Sequence, residues 1–217
     1  MNRYKCLLFD LDGTLTDSAP GIINCLRHSL TIMGSDMPEM PERFLGPPLY
    51  ESFAEYCGMN REQVLEAVKI FRERYSTKGL FENSVYPDVP EMLEKLKGSG
   101  FRLMVATSKV DEYAERILDR FGIADYFEFI GGARIDGSRN EKWEVIEHVL
   151  SSMSITDRSS VLMIGDRKND VAGAHKTGLE CMGILWGYGS EEELRTAGAD
   201  FIVHTPQEAA DILLRKE

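Results

Sequence analysis

The feature that most constrains the fold is an alternation of short apolar runs with helical patterns, which fills the chain from about Phe101 onward. Such alternation is typical of βαβ units around a parallel sheet. A similar apolar run, residues 7–9, occurs near the beginning of the chain. We therefore predict an α/β fold whose doubly wound parallel sheet takes strands from both ends of the sequence. The predicted strands are residues 7–9, 102–106, 127–130, 161–164, 181–185 and 201–203.

The stretch between these ends has a different pattern. Its apolar residues recur at helical spacing, as in Val64, Val68 and Phe71, and it contains no convincing strand. We predict that residues 17–83 form an α-helical cap domain. The rest of the chain, residues 1–16 and 84–217, is then a catalytic α/β core.

Composition limits the partners of the protein. Its 217 residues carry a net charge of −11. Nucleic acid polymers and anionic membranes bind basic surfaces, so we expect neither as a partner. No early apolar run has the length of a signal peptide or a membrane span, and we expect a cytoplasmic protein. The four cysteines and four histidines are scattered without metal-ligand spacing, and we interpret the cysteines as reduced core residues and the histidines as structural or solvent-facing.

Two acidic residues, Asp10 and Asp12, follow the first predicted strand. Side chains alternate along a strand, so the two carboxylates should point the same way. They would repel each other, and their desolvation is costly unless a cation or a shared proton offsets the charge. The alternative is that Asp12-Gly13 forms only a turn and Asp10 only a cap, which explains one acid but not the pair. The pair therefore indicates a functional site.

A hydroxyl and a lysine occupy comparable positions after later strands. Thr107 and Ser108 place a hydroxyl and several backbone amides at an expected helix start, where an anion is favoured. Lys142 follows a predicted loop, residues 131–140, at the start of another helix. A cation is unfavourable there unless a negative group faces it. Read singly, the hydroxyl is an ordinary N-cap and Lys142 a solvated side chain.

A second acid pair, Asp166 and Asp170, follows the strand at residues 161–164. Their i, i+4 spacing can place both carboxylates on one side of a first helical turn, although alone they could be a cap and a surface acid. In open α/β sheets the ligand crevice lies at the carboxyl ends of the strands, so all these groups should share one pocket. Clustered carboxylates suit Mg²⁺, while a hydroxyl, amides and a lysine suit phosphate.

These motifs resemble those of the haloacid dehalogenase superfamily of phosphohydrolases. The similarity spans nearly the whole chain and is to the branch with a helical cap, which includes phosphoglycolate phosphatases and certain bacterial 5'-nucleotidases. Residues 185–191 and 136–142 resemble the nucleotidase-like members, whereas Ser108 replaces an asparagine frequent in phosphoglycolate phosphatases. The matching motifs are Asp10-Leu11-Asp12-Gly13-Thr14-Leu15, Thr107, Lys142 and Gly165-Asp166-Arg167-Lys168-Asn169-Asp170.

The resemblance implies a phosphomonoester hydrolase acting on a small phosphorylated metabolite. Asp10 would be the nucleophile that forms an aspartyl-phosphate, and Asp12 the general acid and base. Mg²⁺ would be held by the Asp10 carboxylate, the Asp12 backbone carbonyl and Asp166, with support from Asp170. The substrate phosphate would be bound by Thr107, Ser108 and Lys142.

Three alternatives share parts of this chemistry. A phosphomutase uses the same core residues, and a receiver-type signalling protein also clusters acids, Mg²⁺, a hydroxyl and a lysine. A receiver, however, takes its acid pair and its phospho-acceptor from different strands. A dehalogenase would not need Asp12 or Asp166.

The candidate contact for the rest of the substrate is Arg43, which stands beside Phe44 and the Gly46-Pro47-Pro48 turn. The alternative is that Arg43 is an ordinary surface arginine.

Overall fold

The computed structural model describes residues 3–47 and 49–215. The chain divides into two compact units, one made of Met1–Thr16 and Val85–Glu217 and the other of Asp17–Ser84. The strands are β1 (Cys6–Phe9), β2 (Thr16–Asp17), β3 (Ser84–Val85), β4 (Arg102–Val110), β5 (Phe129–Ala133), β6 (Val161–Gly165), β7 (Glu180–Ile184) and β8 (Phe201–Val203). The α-helices are α1 (Ala19–Met33), α2 (Leu49–Cys57), α3 (Arg61–Tyr75), α4 (Val89–Gly98), α5 (Asp111–Arg120), α6 (Lys142–Ser152), α7 (Lys168–Lys176), α8 (Glu191–Ala197) and α9 (Pro206–Leu214).

Six strands of the first unit form one parallel sheet in the order β5-β4-β1-β6-β7-β8. The strand order reverses at β1, because β4 lies on one side of it and β6 on the other. Phe9, the last residue of β1, pairs with Val105 and with Ile164, so the carboxyl ends of the three parallel strands lie at the same edge of the sheet. The predicted α/β fold with a parallel sheet is confirmed, and its switch point lies at the end of β1.

Strand β1 is buried on both faces. Cys6 and Leu8 pack in a core cluster with apolar residues of α6 and α7, while Leu7 and Phe9, on the opposite face, are fully buried. A strand covered on both sides has no polar alternation, which is why this segment reads as a continuous apolar run.

The prediction that a helix begins at Thr107 and Ser108 is wrong. Strand β4 continues to Val110, with a register irregularity between Ala106 and Val110, and α5 begins at Asp111. The polar sequence after Ala106 suggested the end of the strand. The irregularity instead leaves these residues in extended backbone beyond the regular ladder.

The predicted loop at residues 131–140 begins too early. Gly131 and Gly132 belong to β5, although glycine normally indicates a loop. Each is needed for close packing: a Cβ at Gly131 would lie 2.4 Å from Cγ2 of Val149, and one at Gly132 would lie 2.5 Å from the carbonyl oxygen of Lys109. The strands predicted at 127–130 and 181–185 are shifted by one to three residues in the structure.

The second unit is helical apart from strand residues at its two ends. Helices α1, α2 and α3 enclose a core that includes Leu26, Phe53 and Phe71. Asn60 starts α3 by accepting hydrogen bonds from the N–H groups of Glu62 and Gln63. The short strands β2 and β3, which the sequence did not indicate, pair with each other where the chain passes between the units. In the described residues no helix is both long and apolar enough to cross a membrane.

Candidate active site

The candidate site lies at the carboxyl ends of β1, β4 and β6 in the first unit. Asp10 directly follows β1, and its N–H donates to the carbonyl oxygen of Ile164 at 2.9 Å. Four of the candidate polar residues, which lie at these strand ends or in the first turn of α6 or α7, are nearly inaccessible to solvent; they are Thr107, Lys142, Asp166 and Asp170. Burying this many polar groups is costly, so their mutual contacts decide what the site can do.

Three carboxylates meet in one buried cluster. One oxygen each from Asp10, Asp166 and Asp170 lies within 4.8 Å of the others. Burial, followed by repulsion from Asp170 and Asp10, raises the pKa of Asp166 well above its ordinary value. Burial also raises the pKa of Asp170 to about 6, against the opposing effect of Lys142. A set of hard oxygen ligands with this excess of negative charge fits a divalent cation such as Mg²⁺.

Lys142 joins two of these acids. Its Nζ lies 2.8 Å from Oδ1 of Asp10 and 2.7 Å from Oδ1 of Asp170, and it donates to the carbonyl oxygen of Ala106 at 3.0 Å. Burial alone would lower the pKa of the Lys142 ammonium, but the two carboxylates outweigh it and raise this pKa. Lys142 is also the first residue of α6, where the helix dipole disfavours a cation. The negative partners expected from that position are therefore Asp10 and Asp170.

Asp12 has a different environment from Asp10. Its carboxylate is outside the three-acid cluster, and Oδ2 lies 2.6 Å from Nζ of Lys109, whose side chain is 6% exposed. Sequence reasoning did not assign Lys109 a role. Its spacing of two from Thr107, on a strand that continues to Val110, is the signal that could have found it. Asp10 and Asp12, near one strand end, are thus paired with different lysines.

The two hydroxyl residues, Thr107 and Ser108, have different environments and do not begin a helix. Thr107 is buried, and its Oγ1 accepts a hydrogen bond from the Lys109 N–H at 3.2 Å, whereas Ser108 is exposed. Because α5 begins only at Asp111, a phosphate here would meet hydroxyls and amides of irregular strand backbone rather than a helix N-terminus.

Arg43 belongs to the second unit and is exposed. Its guanidinium carbon lies 5.7 Å from the ring centre of Tyr56. The neighbouring Phe44 is buried against Phe53 in the core of that unit. Of the turn beside it, Pro48 lies outside the described residues. The aromatic partner of Arg43 is therefore Tyr56.

Comparison with known proteins agrees with this geometry. The sequence pattern of haloacid dehalogenase-like hydrolases matches residues 7–184. A 5'-nucleotidase of Pseudomonas aeruginosa is 43% identical over 195 residues, which cover 89% of this chain and 88% of that protein. A Mycobacterium tuberculosis protein named tyrosine-protein kinase PtkA is 39% identical over 203 residues, 92% of this chain and 68% of its own length. A phosphoglycolate phosphatase of Aquifex aeolicus is 29% identical over 213 residues, 96% of each chain.

Solved structures agree as well. A haloacid dehalogenase-like hydrolase of Streptococcus pneumoniae has a TM-score of 0.91 at 32% identity, covering 98% of this chain and 99% of that one. The prediction of a hydrolase with phosphatases among its relatives is confirmed. With its family pattern, its parallel sheet and its acids at the switch point, this chain belongs to the haloacid dehalogenase-like hydrolase family.

Proposed function

We propose that the chain is a Mg²⁺-dependent phosphomonoester hydrolase that works through an aspartyl-phosphate on Asp10. The observation that carries the proposal is the arrangement around Asp10, which combines two further buried carboxylates with a lysine 2.8 Å away. A cation offsets the acids, and the lysine offsets the charge of an incoming phosphoryl group.

Mg²⁺ would be held by the carboxylates of Asp10 and Asp166 and by the backbone carbonyl of Asp12, with Asp170 as direct or water-mediated support. When bound, it supplies positive charge that lets an anionic substrate approach an acidic pocket. Oδ1 of Asp170 also lies 2.7 Å from Nζ of Lys142, so Asp170 would contact both the metal ion and the lysine.

The reaction then takes two steps. An oxygen of Asp10 bonds to phosphorus while the bond to the leaving oxygen breaks, and Asp12 gives that oxygen a proton. Next, Asp12 takes a proton from a water molecule that attacks the phosphoryl group on Asp10, which releases phosphate and restores both acids. Thr107 and the amides after it orient the phosphoryl oxygens, and Lys142 offsets their charge.

The substrate is proposed to be a small phosphorylated metabolite of the nucleoside 5'-monophosphate or phosphoglycolate type. Support comes from the relatives named 5'-nucleotidase and phosphoglycolate phosphatase. The helical unit would act as a cap that selects the leaving group, with Arg43 as its candidate contact. We further propose that the enzyme acts in the cytoplasm.

The test is hydrolysis of p-nitrophenyl phosphate with Mg²⁺ and after exhaustive chelation. We expect turnover only with the metal, because the acids otherwise repel the phosphate. Asp10→Asn should abolish both turnover and the phosphoenzyme trapped by acid quench, whereas the exposed Asp119→Asn serves as the matched control. Full activity without metal, or a phosphoryl group mapped to another residue, would contradict the mechanism.

Two other outcomes point to different activities. Interconversion of hexose phosphates without net phosphate release would identify a phosphomutase. The relative named as a tyrosine-protein kinase makes phosphoryl transfer from ATP to tyrosine the second candidate. Incubation with ATP and a tyrosine-containing polymer tests it, and phosphotyrosine formed in place of free phosphate would favour the kinase.

A further inference from the structure

The loop after β7 contacts the candidate metal ligand Asp166. This loop, residues 186–189, is here named the clasp loop, and it belongs to the same unit as the acid cluster. The backbone N–H of Tyr188 donates to Oδ2 of Asp166 at 2.8 Å. The clasp loop therefore reaches one of the two carboxylate oxygens directly.

The same loop reaches the other oxygen through Thr14. The indole N–H of Trp186 donates to the carbonyl oxygen of Thr14 at 3.0 Å. The Thr14 hydroxyl in turn donates to Oδ1 of Asp166 at 3.3 Å, and all of Thr14 is buried. Each carboxylate oxygen has capacity for about two contacts, so both oxygens can still bind a cation.

Two glycines allow the clasp loop to approach this closely. A Cβ at Gly187 would lie 2.2 Å from the carbonyl oxygen of Gly13, and one at Gly189 would lie 1.8 Å from the carbonyl oxygen of Asp166. Both distances are far shorter than a van der Waals contact, and both neighbours are backbone atoms, which cannot move easily. A side chain at either position would therefore push the loop away. The sequence Trp-Gly-Tyr-Gly thus places an indole donor against Thr14, in the segment after β1, and an amide donor against Asp166, directly after β6.

Asp166 needs such support because its neighbours repel it. Asp10 and Asp170 have carboxylate oxygens within 4.8 Å, and Asp166 is fully buried. Without fixed donors its side chain would be free to rotate away from the other acids, because like charges repel. Partners that orient a ligand in this way commonly change metal affinity by about 10- to 100-fold when they are removed.

We propose that the clasp loop is a positioning element for the metal site, in which Trp186 acts through Thr14 to hold the Asp166 carboxylate in its ligating orientation. The inference rests on the Mg²⁺ site of the proposed function. It adds that Mg²⁺ affinity depends on an indole whose N–H donates to Thr14 rather than to one of the acids.

The experiment measures Mg²⁺ binding to the metal-stripped full chain by isothermal titration calorimetry, together with the urea midpoint of each metal-free variant. Trp186→Phe should weaken Mg²⁺ binding about 10-fold, because it removes the donor to Thr14 but keeps an aromatic ring. Thr14→Val should weaken binding by a similar factor, and Thr14→Ser, which keeps the hydroxyl, should restore it. Trp143→Phe is the matched control, since Trp143 lies on α6 and stacks under Lys176.

Wild-type affinity in Trp186→Phe would overturn the inference, as would equal weakening in Trp143→Phe or losses that follow the urea midpoint. If Trp186→Phe does not fold, the Thr14→Val and Thr14→Ser pair decides the outcome in the same way. A wild-type chain that binds no Mg²⁺ would instead overturn the metal site of the proposed function. The experiment therefore distinguishes an incorrect role of the clasp loop from an incorrect Mg²⁺ site.

Discussion

Asp10 and Asp12 are two residues apart, yet the structure gives them different partners. Asp10 shares Lys142 with Asp170, whereas Asp12 pairs with Lys109 at 2.6 Å. Separate environments are the usual means by which two like carboxyl groups take different roles in one reaction. The pairing therefore favours a nucleophile at Asp10 and a proton-transfer group at Asp12.

The role of Asp12 predicts a dependence on the leaving group. Asp12→Asn keeps the size of the side chain but removes proton transfer, which is commonly worth roughly 10²- to 10⁴-fold in rate. We expect that loss for phosphate esters of poor leaving groups and a smaller loss for aryl phosphates whose leaving oxygen needs no proton. The measurement is kcat across a series of aryl phosphates of graded leaving-group pKa. An equal loss throughout the series would argue against Asp12 as the acid.

Some site residues are predictable from the sequence because they follow an apolar strand or begin the next helix. These residues are Asp10, Asp166, Asp170 and Lys142, and the structure brings them together. Thr14 and Trp186 could not be found in this way. Their contact spans 172 positions and uses a backbone carbonyl, so no periodicity or spacing records it.

At the scale of elements, the positions of α6 and α7 depend on a glycine. A Cβ at Gly173 of α7 would lie 2.6 Å from Cγ of Lys142 and 3.2 Å from the backbone nitrogen of Trp143. The two helices therefore approach closely at the point where α6 presents Lys142 to the acids.

The parallel sheet is predictable from the sequence pattern, but two element bounds are not. The pattern predicts a start of α5 that is too early and a loop before α6 that is too long. In both places tertiary packing overrides the local preference for a turn.

This close approach predicts a functional and structural effect of one methyl group. Gly173→Ala should reduce the free energy of unfolding by about 1–3 kcal/mol, because overpacking outweighs the better helix propensity of alanine. It should also lower phosphatase kcat, because Lys142 must shift. Gly98→Ala is the matched control, since a Cβ there meets nothing within 4 Å. Urea denaturation and steady-state kinetics measure both effects, and a Gly173→Ala variant as stable and active as Gly98→Ala would contradict the packing argument.

At the scale of the whole molecule, the acid cluster couples folding to pH. Burial raises the pKa of Asp170 from 3.8 to about 6, and burial also raises the pKa of Asp166. The folded chain then binds protons that the unfolded chain releases. Their contribution stabilises the metal-free fold at low pH and is lost as the pH rises from the unfolded pKa through the folded pKa. The two acids therefore oppose folding at neutral pH unless a cation is bound.

Mg²⁺ should reverse this penalty, and its effect should depend on pH. Protons compete with the metal for the same carboxylates, so saturating Mg²⁺ should raise the melting temperature more at about pH 8 than at about pH 5. The measurement is thermal denaturation with and without Mg²⁺ at both pH values, with NaCl of matched ionic strength as the control. Asp170→Asn removes one of the two titrating acids, so it should reduce the difference between the two pH values. An equal rise in melting temperature at both pH values would show that Mg²⁺ does not bind through these buried acids, and the candidate metal site would have to lie elsewhere.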